Sequence, residues 1–158
     1  MDAQVSIRAI TPDDSGELER FYLRLSPESR RRRFLGVSRG ISASQAERFA
    51  TAASRGAAGF VAVRGSRIIG HACVEPCGAD AVEMAFAVDD AWQRRGIGRR
   101  LLRRALAWTN RRGIARIDLS LFADNAAMRG LLRSIPGSVD VRPEGSVEQV
   151  ELVLPLAA

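Results

Sequence analysis

The chain has 158 residues, 46% of them hydrophobic and 27% charged, the balance of a globular domain. No apolar run approaches the roughly 20 residues that cross a bilayer, and Met1-Asp2-Ala3-Gln4-Val5-Ser6 lacks the basic and apolar regions of a signal peptide, so a membrane partner is not expected and a cytoplasmic setting is. The net charge is +6 and all 24 basic residues are arginine; a lysine-free chain points to coding bias, so charge alone does not choose among nucleic acid, anionic membrane and a phosphorylated ligand.

Residues 4–10 alternate apolar and polar side chains at Val5, Ile7 and Ala9, the period of a first strand. Thr11 before Pro12 is a helix start, and the helix it opens carries Leu18, Phe21, Tyr22 and Leu25 on one face. Ser26-Pro27-Glu28-Ser29 is a second cap, ahead of an arginine run at 30–33 that reads as a solvated face and of Phe34-Leu35-Gly36. A further helix is predicted over 44–53. Strands follow at 60–63, 67–74 and 81–88, with Arg64-Gly65-Ser66-Arg67 as the turn between the first two. Residues 96–111 form a long amphipathic helix stopped by Gly113. Then come a strand at 116–122, a helix at 123–135 ended by Pro136-Gly137, and a hairpin from 139–142 to 147–154 across Pro143-Glu144-Gly145. The order β-α-α-β-β-β-α-β-α-β-β, with no repeat or linker, predicts one domain over 1–158 with an α/β fold and a mixed sheet.

The segment Gln93-Arg94-Arg95-Gly96-Ile97-Gly98 lies between the strand ending at Val88 and the long helix. Amides at a helix start have no partner within the helix and point outward, where they bind phosphate. Glycine at 96 and 98 keeps Cβ atoms out of the anion's path. Arg94, Arg95, Arg99 and Arg100 sit at the helix end that is already positive, an unfavourable placement unless an anion is near. The spacing is neither that of a Walker loop nor of the dinucleotide G-x-G-x-x-G pattern. A pyrophosphate ligand is the expectation, and no nucleic-acid recognition motif competes with it. Cys73 and Cys77, the two cysteines, lie near the lone His71; one histidine and two thiols do not complete a zinc site without carboxylates, so reduced, inert thiols and no metal are expected.

With its flanks from Val88 to Leu102, this segment resembles the acetyl-CoA motif Q/R-x-x-G-x-G/A of the GNAT superfamily of N-acetyltransferases, and the element order resembles that fold over nearly the whole chain. The resemblance implies a single, mostly antiparallel mixed sheet of six to seven strands flanked by about four helices. It also implies acetyl-CoA as co-substrate. Amides from Arg94 to Arg99, with Gln93, Arg95, Gly96, Ile97 and Gly98 in the motif, would bind its pyrophosphate. Phe86, Ala87 and Val88 would pair with the pantetheine like an added strand, and Asn125 would contact the cofactor arm. Read without the family, Asn125 is a helix N-cap for which Asp124 competes.

Transfer to an amine requires removal of a proton from an ammonium of pKa near 10.4. Glu83 stands within the apolar segment 81–88, where a carboxylate must be paired, exposed at a cleft or shifted. The patterns Ala81-Val82-Glu83-Met84-Ala85 and Leu25-Ser26-Pro27-Glu28-Ser29 with Arg33-Phe34 resemble the GNAT domains of bacterial Pat-type protein lysine acetyltransferases. That resemblance implies Glu83 as catalytic base and a protein lysine as acceptor. The alternatives are a solvent-facing Glu83, a small-molecule amine acceptor, and a non-catalytic CoA-binding sensor. One departure stands out: the tyrosine that many GNAT enzymes place seven residues after the asparagine, as acid for the departing thiolate, is Leu132 here, and the one tyrosine is Tyr22.

Overall fold

The computed structural model describes residues 4–155. Its strands are β1 (Ser6–Ala9), β2 (Ala58–Arg64), β3 (Arg67–Cys77), β4 (Ala81–Val88), β5 (Arg116–Phe122), β6 (Ser138–Glu144) and β7 (Val147–Val153). They form one sheet in the order β1-β2-β3-β4-β5-β7-β6. The helices are α1 (Ser15–Arg24), α2 (Pro27–Phe34), α3 (Ala43–Ala50), α4 (Ile97–Arg111) and α5 (Ala126–Arg133). Neighbouring strands are antiparallel except β4 and β5, which run parallel and are joined through α4. Such a pair needs a long crossover, because the chain must return to the end it left. The α/β class and the mostly antiparallel mixed sheet are those expected.

The differences from the sequence reading are local. There are five α-helices among the described residues rather than about four, because the run after Ser26 folds as a helix of its own. Ser26 Oγ accepts the Ser29 N–H, Pro27 fills the first turn, and Leu35 closes the helix at φ 55 with its N–H on the Arg31 carbonyl. Behind Thr11 the chain makes a 3-10 turn, Pro12–Asp14, before α1; the Asp14 carboxylate takes the Thr11 N–H at 2.8 Å and two guanidinium nitrogens of Arg8 at 2.7 and 2.8 Å. α3 spans Ala43–Ala50 rather than 44–53, with Ser42 as its cap and Gln45 returning the bond. α5 starts at Ala126 rather than 123, since the Ala123 N–H is taken by the Ser146 carbonyl. β6 runs on through Pro143 and Glu144, moving the hairpin turn to Gly145 and Ser146; proline is tolerated there because β6 is an edge strand. The reading of Met1 to Ala3 lies outside the described residues.

The two-residue period of the strands divides the buried side chains into two cores. Val82 and Met84 of β4, Ile117, Leu119 and Leu121 of β5, and Val150 and Leu152 of β7 pack with Leu101, Leu102 and Ala105 of α4 and Leu132 of α5. On the other face Val61, Val63, Ile68 and Ala87 meet Leu18, Phe21 and Tyr22 of α1 and Ala46 and Ala50 of α3. Inside this second core the Tyr22 hydroxyl lies 2.7 Å from His71 Nδ1, both side chains fully buried. His71 Nε2 has no hydrogen-bond partner among the described residues. Burial, with the Arg33 charge adding to it, pushes the His71 pKa down to about 3, and burial pushes Tyr22 up to about 12. Both are neutral at pH 7.

His71 is the one histidine of the chain. Its folded pKa lies below the unfolded value of about 6.5, so as pH falls the unfolded state takes up the proton first and stability declines. Urea unfolding should therefore show a loss of about 1.4 kcal/mol per pH unit between about pH 6 and pH 5. A folded His71→Gln variant should be flat over that window. A wild-type protein already flat there would mean that His71 is charged in the native state.

Candidate active site

β4 pairs with β3 along its whole length, from Ala81 opposite Cys77 to Val88 opposite Gly70. β5 pairs equally fully with β7. Between β4 and β5 there are only three pairs, Ala81 with Arg116, Val82 with Ile117 and Glu83 with Asp118. Past Glu83 the strands part around a cavity of about 520 Å³. The Asp89 N–H bonds to the Ile69 carbonyl at 2.9 Å on the β3 side. By alternation, the N–H and C=O groups of Met84, Phe86 and Val88 point away from β3, into the gap. β4 thus offers the cavity an unpaired strand edge.

The loop at the end of the gap carries two residues in left-handed backbone conformation, Arg94 at φ 62 and Gly96 at φ 79. The first is strained for a residue with a side chain, and such strain concentrates at functional sites. Backbone of this kind curls its N–H groups into an anion-binding concavity. Gly96 is the N-cap of α4, and the first intrahelical bond runs from the Arg100 N–H to the Gly96 carbonyl at 3.1 Å. The N–H groups of Ile97, Gly98 and Arg99 therefore lie ahead of the helical ladder. A Cβ on Gly98 would come within 3.3 Å of Leu131 Cδ1 and 4.0 Å of Val88 Cγ2, so β4, α4 and α5 converge there.

Ten of the residues singled out for cofactor binding line this one cavity: Phe86, Ala87 and Val88 from β4, Gln93, Arg94, Gly96, Ile97, Gly98 and Arg99 from the loop and α4, and Asn125. Asn125 rather than Asp124 caps α5, its Oδ1 accepting the Met128 N–H at 3.1 Å. Arg95 does not contribute to the lining; its guanidinium lies 4.8 Å from the centre of the Trp92 ring. Sequence reasoning missed the apolar wall, Leu119, Leu121, Met128 and Leu131, and the contribution of Ser29, Arg32 and Arg33 from α2. The apolar wall looks like any buried face. The α2 residues did carry a signal, the cap and Arg33-Phe34 pattern noted above.

Glu83 is exposed and stands outside the cavity lining, on the last pair that joins β4 to β5. Its register neighbours, Glu75 on β3 and Asp118 on β5, are both held by arginine, Glu75 by Arg55 at 2.9 Å and Asp118 by Arg116 at 3.3 Å. Among the described residues Glu83 itself forms no ion pair. Arg33, which reaches Cys73 Sγ at 3.3 Å, has Glu83 among the negative groups around it. Burial works against the Arg33 charge, but Tyr22, Cys73 and Glu83 around it hold its pKa above the usual arginine value. Tyr22 does not line the cavity, and Leu132 is buried in the first core, so neither places a proton donor at the gap. Cys73 and Cys77 are free thiols, and no cluster of metal-ligating side chains exists among the described residues.

The sequence profile of the acetyltransferase (GNAT) family matches residues 25–135. The chain belongs to that family. It is an acyltransferase that uses acetyl-CoA. It is similar to Acetyltransferase Pat of Mycolicibacterium smegmatis, with 29% identity over 159 residues, 94% of this chain and 45% of that protein. The chain thus spans less than half the length of the curated relative it matches. Among solved structures it is similar to the GNAT domain of S. lividans PAT, with a TM-score of 0.83 and 28% identity over 95% of this chain and 90% of that one. The fold also matches yncA, a putative acetyltransferase from Salmonella typhimurium solved with acetyl-CoA, at a TM-score of 0.75 and 19% identity over 97% and 94% of the two chains. No helix among the described residues is long and apolar enough to cross a membrane.

The cavity fits coenzyme A on its own chemistry. Its charged lining is Arg32, Arg33, Arg94 and Arg99, with no carboxylate, which suits an anion. The loop amides suit the pyrophosphate, and the free edge of β4 suits the amide groups of a pantetheine. Acetyl-CoA at about 100 times its Kd should stabilise the fold by about 2.7 kcal/mol, read as a rise in melting temperature. Gly98→Val should lower the affinity at least about tenfold in calorimetry, by crowding the amides and Leu131. Arg94→Ala should cost less than about fivefold, because exposed charges are screened and Arg99 remains. Wild-type affinity in a folded Gly98→Val protein would mean that the phosphates bind elsewhere.

Proposed function

We propose that this chain transfers acetyl from acetyl-CoA directly to a primary amine, the side chain of a protein lysine, with Glu83 as general base. The observation that carries the reading is the placement of Glu83. It is exposed, free of an ion pair among the described residues, and one residue short of the point where β4 and β5 separate. The lysine acceptor is supported by the likeness to Pat over most of the chain and by the two Pat-like patterns around Glu83 and Ser26. The reading treats 1–158 as one acetyltransferase domain, and a reducing, cytoplasmic setting goes with its free thiols.

Bound acetyl-CoA supplies an activated acyl thioester. The carboxylate of Glu83 takes the proton of the incoming ammonium, directly or through one water, and frees its lone pair. The cavity-facing N–H of Val88 donates towards the carbonyl oxygen of the acyl group, where negative charge develops. A thiol of pKa near 8.5 leaves without an acid, which suits a cavity lined by neither Tyr22 nor Leu132.

Glu83→Gln keeps the size of the side chain and removes the base, so acetyl-CoA affinity should change little. Turnover near pH 7 should fall by about 10² to 10⁴. The deficit should shrink as pH rises towards the pKa of the acceptor amine, since a free amine needs no base. Full turnover of the variant across that range would reduce Glu83 to a strand residue. Rates on a panel of lysine proteins set against a panel of small amines identify the acceptor class, and preference for the small amines would overturn the lysine assignment. Turnover of neither panel would favour the sensor.

A further inference from the structure

α2 has no buried residue, yet Ser29, Arg32 and Arg33 on it form a wall of the cavity, and it touches both β4 and β5. It bridges the two strands on the side of the second core. An eight-residue helix with so little apolar anchoring is held by its polar attachments. At its far end Arg33 reaches Cys73, and Arg31 lies 4.0 Å over the ring of Phe122 on β5. At its start the Ser26 N–H and hydroxyl donate to the two carboxylate oxygens of Asp90, at 2.9 and 2.6 Å. The Ser29 hydroxyl donates to the same carboxylate at 2.8 Å. Gln93, the first residue of the phosphate loop, donates from one amide nitrogen to Ser29 Oγ at 3.1 Å and to the Val88 carbonyl at 3.0 Å.

These bonds form one continuous chain: the last outward carbonyl of β4, Gln93, Ser29, Asp90, Ser26 and the cap of α2. Its direction is fixed, because the single hydroxyl proton of Ser29 goes to Asp90 and its oxygen is left to accept from Gln93. Burial of Asp90 would raise its pKa, but the bonds from Ser26 and Ser29 outweigh that and hold the carboxyl below its usual range, so the acceptor end of the chain is charged at neutral pH. The chain therefore joins the loop that grips the pyrophosphate to the helix that spans the gap.

We propose that Ser26, Ser29 and Asp90 form a clasp that couples filling of the acetyl-CoA cavity to the seating of α2 across the gap. Ser29 and Asp90 are positioning residues: they act through Gln93 and the cap of α2. A ligand that fixes the loop fixes Gln93, and Gln93 then favours the seated helix. By linkage the seated helix raises affinity for the ligand by the same factor. The inference rests on the cavity being the acetyl-CoA site.

Hydrogen exchange followed by mass spectrometry, with and without coenzyme A, tests it without knowledge of the acceptor. In the wild type, coenzyme A should slow exchange in the loop at 93–99 and also, by about tenfold, in Pro27–Phe34, the equivalent of one hydrogen bond to a charged group. In Ser29→Ala and in Asp90→Asn the loop should still respond, α2 should respond less than about twofold, and coenzyme A affinity should drop by the lost factor. Ser29→Thr, which keeps the hydroxyl, should restore both. Protection of α2 that is equal in Ser29→Ala and the wild type would overturn the clasp, as would a wild-type α2 that ignores coenzyme A while the loop responds. A loop and helix that both ignore coenzyme A would overturn the cavity assignment, and the clasp with it.

Discussion

The pairing between β4 and β5 stops after three residues, and the site is built around that stop. Each strand is claimed along its full length by its other neighbour, β4 by β3 and β5 by β7. The two antiparallel halves of the sheet are free to diverge with the ordinary strand twist once the short parallel contact ends. Divergence leaves the outward polar groups of Met84, Phe86 and Val88 without strand partners, and buried backbone groups require partners. One of them, the Val88 carbonyl, is met by Gln93. The others face a cavity that a chain of amides can enter as a strand would. α4 starts at the open end of this gap because the parallel connection must leave from β4, so the helix N-terminus falls there as a consequence of topology.

The same parting explains why two chemically different faces meet at one place. On the α4 and α5 side the walls are apolar, and the charge comes from Arg94 and Arg99 at the mouth. On the other side lie α2, the buried Tyr22–His71 pair and the row of Glu75, Glu83 and Asp118, of which Glu83 is exposed and the other two half-buried. The arginine-rich composition proves uninformative about most of its residues. Arg8, Arg24, Arg55 and Arg116 are spent on carboxylates, and Arg31, Arg95, Arg104 and Arg112 lie over aromatic rings. A net charge of +6 thus describes a framework that uses guanidinium groups as general-purpose fasteners.

Legibility in the sequence followed the range of the interactions. β4 and β5 run from Ala81 to Val88 and from Arg116 to Phe122, as their apolar patterns implied, since strand period and burial are local properties. The glycine loop was legible for the same reason: the left-handed turn at Gly96 is a property of its own backbone. α2 was read as a cap and a solvated face, because the partners that make it a wall are distant. Ser26 and Ser29 bond to Asp90 across 64 and 61 positions, and Arg33 meets Cys73 across 40. Arg95 illustrates a finer limit. Its place in the motif concerns its backbone, whereas the direction of its side chain is decided by Trp92. The apolar wall from α5 could not be singled out, since Met128 and Leu131 obey the same helical period as the core residue Leu132.

The placement of acidic and basic groups also constrains which half of the reaction the protein can assist. The charged side chains that line the cavity are arginines, and a guanidinium does not give up a proton near neutrality. Ser120, the other hydroxyl there beside Ser29, donates to Gln149 at 2.6 Å. No residue of the lining is therefore suited to protonate a departing thiolate, and the one tyrosine is locked against His71 on the far side of β4. Glu83, on the last pair before β4 and β5 part, is the residue proposed for the opposite task of removing a proton. A thiolate is a far weaker base than an amine, by about two pKa units on the unperturbed scale, so expelling it demands less help than unmasking the nucleophile. On the proposed reading assistance is concentrated on the amine, and proton removal rather than departure of the thiolate becomes the step that the residues of this chain govern.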